Sequence, residues 1–124
     1  MNALSRLNVM TEPSIFTRIL NGEIPGELVA QTDRVFAVRD INPQAPLHLL
    51  VIPKTEQYRD VTELAAGDPA LMAEMVAVAQ QLATEHANGE YRLIFNKGAS
   101  AAQSVFHVHA HVLGNIEEGR LVGF

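Results

Sequence analysis

Three of the five histidines in this 124-residue chain fall in one pentad, His107-Val108-His109-Ala110-His111, followed by Val112-Leu113-Gly114. An extended strand turns successive side chains to opposite faces. The pattern therefore puts the three imidazoles on one face and Val108, Ala110 and Val112 on the other. The alternate residues are β-branched or small, which suits a half-buried strand. A purely structural strand gains nothing from three imidazoles in a row, so the row reads as a site. Two chemistries use such a row. Three neutral imidazoles hold zinc or another borderline metal and leave one coordination position open. Alternatively, one imidazole is a nucleophile or acid–base group while its neighbours orient it and bind the anion it attacks. The spacing alone does not choose between them.

A chain of this length forms one domain with a modest core. Its 48% hydrophobic and 19% charged residues are ordinary for a soluble globular protein. The net charge of −5 argues against general binding to nucleic acid or to an anionic membrane. With no cysteine, disulfides and every cysteine-containing zinc site are excluded. No apolar run reaches the roughly 18 residues of a membrane span, and residues 1–13 lack the continuous apolar core of a signal peptide. The expected location is cytoplasmic.

Residues 1–13 form a polar, mixed leader read as flexible, and Met10 as an alternative start would make residues 1–9 dispensable. Ser14 is a plausible N-cap for a short helix whose apolar face is Ile15, Phe16, Ile19 and Leu20 and which Asn21-Gly22 ends. Glu27–Thr32 and Arg34–Ile41 read as two strands joined tightly at Asp33. Asn42-Pro43-Gln44-Ala45-Pro46 is a stiff loop, because each proline restricts itself and its predecessor. Leu47–Ile52 is a near-continuous apolar run, read as a central strand that ends at Pro53. His48 is the odd residue in that run, and we read it as an orienting partner for the histidine row. Val61–Ala66 reads as one loose turn. Gly67-Asp68-Pro69 starts a long helix, with Asp as cap and Pro at the first position, that runs to about His86 and closes at Asn88-Gly89. Its apolar positions, Leu71, Met72, Met75, Val76, Val78, Ala79 and Leu82, are more than one face needs, which points to a broader core contact or a subunit interface. Tyr91–Asn96 is another strand. Ala99-Ser100-Ala101-Ala102 is a small-residue loop that lets backbone approach a ligand, and its amides, with Gln103 and Ser104, are placed to hold phosphate oxygens.

Gln103-Ser104-Val105-Phe106 and the pentad together resemble the signature of the histidine triad superfamily, His-φ-His-φ-His-φ-φ. The resemblance extends in order through Ser14-Ile15-Phe16, Gly22-Glu23-Ile24-Pro25, Asp40 to Pro46, His48 to Lys54, and Asn96-Lys97-Gly98. Gly114 after His-Val-Leu resembles the Hint-like, purine nucleoside phosphoramidase branch, whereas the diadenosine-polyphosphate hydrolase branch carries proline there. The resemblance implies an α+β fold: a five-stranded antiparallel sheet with one long and one short helix, which dimerises so that two sheets join. It implies one such domain over residues 14–124; in the C-terminal tail, Asn115–Phe124, the residues themselves offer only Leu121, Val122 and Phe124 as candidates for docking.

The activity implied is hydrolysis or transfer of a nucleoside monophosphate from an amine or similar leaving group, with AMP or GMP conjugates as substrates and no cofactor or metal. By matching position, His109 would be the nucleophile at the α-phosphorus. His107 and His111 would bind phosphate oxygens, His48 would extend the relay, and Ser104 would contact phosphate or leaving group. Asp40 would bind the ribose hydroxyls. Phe16, Ile19 and Ile41 would line the base pocket, with Asn96, Ala102 and Gln103 near the phosphate. Lys97 is a further candidate for charge compensation, although a solvated turn lysine suits it as well. A neutral imidazole is nucleophilic near pH 7 and leaves phosphorus readily in a second step, which agrees with His109 in that role.

Three departures stand out. Ala101 and Ala102 sit where many relatives carry glycine, the cysteines of relatives with a zinc site are absent, and the tail lacks the tryptophan found in some Hint proteins. Alternatives to the phosphoramidase reading are a nucleotide-binding regulatory protein, a diadenosine-polyphosphate hydrolase and a metal-dependent hydrolase.

Overall fold

The computed structural model describes residues 12–117. All but Glu12 and Pro13 of the expected leader, and the docking candidates of the tail, lie outside that range. Helix α1 (Ile15–Leu20) starts where Ser14 Oγ accepts the Thr17 amide at 3.2 Å, and it ends at Asn21 before Gly22 turns to φ 76°. Then come β1 (Leu28–Gln31), β2 (Val35–Arg39), β3 (Leu47–Pro53), α2 (Val61–Gly67), α3 (Pro69–His86), β4 (Arg92–Ile94), a 3-10 turn at Ala99–Ala101, and β5 (Ala110–Gly114).

The five strands form one antiparallel sheet in the order β1-β2-β3-β5-β4. The central strand β3 is buried at all seven positions. Its odd residues Leu47, Leu49 and Val51 join Val35, Ala37, Val108, Ala110 and Val112 under Leu71, Met75, Val78, Ala79 and Leu82 of α3. On the opposite face, Leu50 and Ile52 join Phe36 and Val38 under Phe16, Ile19 and Leu20 of α1. Both faces of β2 and β3 are therefore covered, which is why their sequences read as continuous apolar runs rather than alternations. The α1 face is the one that carries the imidazoles.

Two expectations are corrected. Val61–Ala66 is not a loose turn but a second short helix. The Asp60 carboxylate accepts the Glu63 amide at 2.9 Å while Glu63 accepts the Arg59 amide at 3.0 Å, a reciprocal cap that stabilises a turn with little apolar content. The histidine row, read as one strand, is only partly so: β5 begins at Ala110 and contains His111 alone. Val51 pairs with Ala110, and the ladder stops beyond it because Pro53 has no amide to donate and its carbonyl is taken by the His107 ring. Residues 107–109 stay extended through a bond from the Val108 amide to the Tyr58 carbonyl at 3.0 Å.

Helix α3 closes as the sequence suggests, with Asn88 and Gly89 at positive φ and the Gly89 amide bonded to the Ala83 carbonyl at 2.9 Å. Its end presses on β5 so closely that a β-carbon at Gly114 would stand 2.8 Å from that of Ala87. Glycine there is a packing requirement. Of the surplus apolar residues on α3, Met72 is half-buried and Val76 remains 36% exposed. Among the described residues no helix is long and apolar enough to cross a membrane.

Candidate active site

The imidazoles are ordered by partners whose roles are fixed, since a backbone carbonyl only accepts and an amide only donates. The Gln44 amide donates to His48 Nδ1 at 3.0 Å, so neutral His48 carries its proton on Nε2. That N–H donates to His111 Nδ1 at 2.9 Å, which leaves the His111 proton on Nε2. Asp40 Oδ2 stands 3.3 Å from the same His48 nitrogen, while Asp40 Oδ1 accepts the Asn42 amide at 2.8 Å. His109 Nδ1–H donates to the His107 carbonyl at 2.9 Å, so its lone pair sits on Nε2. His107 Nε2–H donates to the Pro53 carbonyl at 2.7 Å, and its Nδ1 accepts the Ser14 hydroxyl at 2.6 Å.

The rings also pack on one another. Phe16 meets His109 edge-on at 4.8 Å between centroids and His107 at 5.8 Å. His109 meets His111 at 5.4 Å, and His111 meets His48 at 5.2 Å. Leu50 of β3 lies directly opposite His111, so His48 reaches His111 along the sheet diagonal.

Burial depresses the basicity of all four rings. His111 is pushed down to about 4 by burial first and then by its neighbours His109 and His48. His109 and His107 are lowered by burial against the opposing pull of the carbonyls they bond. His48 is lowered by burial against the pull of Asp40. The row is a set of neutral imidazoles at pH 7, each with its proton on a defined nitrogen.

The other expected residues divide into those at the imidazoles and those that shape the loop beside them. Phe16 is buried against the row, and Ile19 is half-buried beside it. Ile41 follows Asp40 and is 91% exposed, an apolar side chain open to a ligand. Asn96 Nδ2 donates to the Ala101 carbonyl at 2.9 Å and braces the small-residue loop. Gln103 is buried, and its amide is committed to the loop: Nε2 donates to the Arg59 and Val105 carbonyls at 2.7 and 3.0 Å, and Oε1 accepts the Gly98 amide at 2.8 Å. Ala102 is exposed at φ 69°, a left-handed conformation suited to glycine, and Ser104 is exposed two residues on. Lys97 pairs with Asp60 at 3.3 Å. Ser14, Gln44, Glu56 and the Pro53 carbonyl are contributors that the sequence did not announce as site residues. Ser14 carried only the signal of a helix cap, and Gln44 and Pro53 act through backbone atoms, which no residue type reveals.

Neutral imidazoles with protons ordered by fixed partners, on the sheet face under Phe16, offer both lone pairs and N–H donors, the equipment of nucleophilic or acid–base histidine chemistry. The chain belongs to the HIT family: the HIT domain matches residues 21–118. It is 40% identical over 107 residues to the purine nucleoside phosphoramidase of Escherichia coli K12, covering 85% of this chain and 89% of that one. It is 40% identical over 116 residues to a 14 kDa zinc-binding protein of Zea mays, covering 90% and 88%. Among solved structures it is similar to a HIT family hydrolase from Clostridium thermocellum, with TM-score 0.80 and 36% identity over 89% of this chain and 96% of that one.

The maize relative's name raises the question of zinc. Among the described residues, Asp40, His48 and His111 are the group whose ligand atoms converge within 4.8 Å. They do not fit a metal as arranged. The Gln44 amide holds His48 Nδ1 as acceptor, so the proton occupies Nε2, the atom a metal would need.

Proposed function

We propose that this chain is a nucleoside phosphoramidase that works through a nucleotidyl-histidine intermediate on His109. The observation that carries the reading is the bond from His109 Nδ1–H to the His107 carbonyl, which holds the lone pair on Nε2. In the first step that lone pair forms a bond to the α-phosphorus while the bond from phosphorus to the leaving nitrogen breaks, and the nitrogen takes a proton from solvent water as the amine departs. In the second step water attacks phosphorus and gives up a proton to solvent, the bond from phosphorus to His109 Nε2 breaks, and the nucleoside monophosphate is released. His111 Nε2–H, ordered by His48, donates to the charge that builds on the phosphoryl oxygens. Asp40 accepts the ribose hydroxyls, and Phe16, Ile19 and Ile41 form the apolar wall for the base. Ala102 and Ser104 stand by the phosphate and leaving group. Gln103 and Asn96 act there by shaping the loop rather than by touching ligand. The name of the E. coli relative supports a purine base, so AMP and GMP conjugates are the substrates to try, in a cytoplasmic homodimer.

His109→Ala keeps the fold and removes the nucleophile, so turnover falls by at least about a thousandfold, the scale of deleting a catalytic nucleophile. Nucleotide binding survives, because Asp40 and the apolar wall remain. Rapid-quench assays with a labelled adenosine phosphoramidate show acid-labile label on the wild type and none on the variant. Turnover without any adduct in a single-turnover experiment would mean that water attacks directly.

A further inference from the structure

The start of α1 is tied to the histidine row by a continuous set of hydrogen bonds that passes through Ser14. Glu56 lies in the loop after β3 and receives two donors from the helix start: the Ser14 amide to Oε1 at 3.0 Å and the Thr17 hydroxyl to Oε2 at 2.7 Å. Ser14 Oγ accepts the Thr17 amide at 3.2 Å and has one proton left to give. His107 Nδ1 at 2.6 Å takes it; the alternative acceptor, Thr17 Oγ1, stands at 3.5 Å. His107 is 1% exposed, so loss of that donor would leave its Nδ1 unsatisfied in the interior. Its other nitrogen is bound to the Pro53 carbonyl. Both ends of the ring are thereby fixed, and with them the backbone carbonyl that accepts His109 Nδ1–H. Two residues along, the Phe16 ring of α1 rests on His109 itself.

We propose that Ser14, held by Glu56, is a positioning residue that sets the orientation of His107 and so directs the lone pair of His109 to substrate. The proposal rests on the reading of His109 as nucleophile. Ser14 touches no reacting atom. Its effect passes through the His107 ring and carbonyl and through the seating of Phe16. A carboxylate two residues past Lys54 and a helix cap 42 residues before it thus act together on one imidazole.

The test uses the full chain with 15N-labelled histidine and needs no substrate for its first reading. In the wild type, His107 shows a protonated Nε2 and His109 a protonated Nδ1. In Ser14→Ala the two His109 nitrogens move toward averaged values as its bond to the His107 carbonyl loosens. Single-turnover nucleotidylation then slows about 10- to 100-fold, the cost of misplacing a reacting group by up to an ångström, while KM is unchanged. Ser14→Gly separates this from loss of the helix, since glycine is nearly as good a cap as serine, and it shows the same loss. Ser14→Thr restores both the nitrogen pattern and the rate. Glu56→Gln, which replaces one acceptor with a donor, shifts both readings in the same direction as Ser14→Ala. An unchanged nitrogen pattern and rate in Ser14→Ala and Ser14→Gly overturns the proposal, as does failure of Ser14→Thr to restore them. A wild-type His109 that has the described nitrogen pattern yet never takes label overturns the nucleophilic reading instead.

Discussion

His109 and His111 are two residues apart and do opposite things, because each bonds a different partner through the same ring atom. His109 Nδ1 gives its proton to a carbonyl, and His111 Nδ1 accepts one from His48. The result is a lone pair beside an N–H donor on one face, which is what attack on a phosphoryl group requires. Burial lowers the pKa of His109, so its lone pair persists as pH falls. The acid limb of kcat/KM is therefore expected below the ordinary histidine value of about 6.5, as a pH–rate profile of the free enzyme will show. The same depression has a stability consequence. As pH falls through about 6.5 the unfolded chain takes up protons that the folded chain, with His111 near 4, refuses. Stability is therefore fully present above that pH and declines below it.

Among the elements, the loop between β4 and β5 is the most economical. Asn96 and Gln103 brace it from either side, and Ala102 takes the left-handed conformation at φ 69°. The sequence marked these positions as phosphate-binding and flagged alanine where relatives carry glycine. The backbone keeps the turn that glycine would adopt and bears the strain of a β-carbon. A left-handed alanine costs about 1–2 kcal/mol, and glycine's unfolded-state entropy returns about 0.4–1 of it, so Ala102→Gly stabilises by roughly 0.5–1 kcal/mol. Urea unfolding of the pair measures it. Apolar runs made β2 and β3 legible, helical spacing of apolar residues made α3 legible, and the capping residues Ser14, Asp68 and Asn88-Gly89 marked helix ends. The extent of β5 was not legible, because it depends on Pro53, which lies 54 residues upstream of His107 and meets it only in the folded sheet. Helix α2 was missed for a related reason: its cap is built from two bonds, Asp60 accepting the Glu63 amide and Glu63 accepting the Arg59 amide, and its apolar face is little more than Leu64.

For the molecule as a whole, two expectations concern what it does and does not join to. Met72 is half-buried and Val76 is 36% exposed on α3, and β4 is the three-residue end strand of the sheet. A partly exposed apolar strip on a helix and a short end strand each suit a second copy of the chain. Sedimentation at micromolar concentration is expected to give two chains per particle, and a clean monomer would refute this. Exhaustive chelation is expected to leave turnover unchanged, since the proton on His48 Nε2 stands where a metal would bind. Loss of turnover with EDTA, restored by zinc alone, would reverse that reading. The placement of His48 in β3 has one more consequence. All seven residues of that strand are buried between paired neighbours, so the six amides of Leu47 to Ile52 exchange with solvent deuterium only when the entire sheet opens. His48 thus belongs to the last unit to come apart, and its hydrogen bond to His111 is expected to persist on heating until the fold itself is lost.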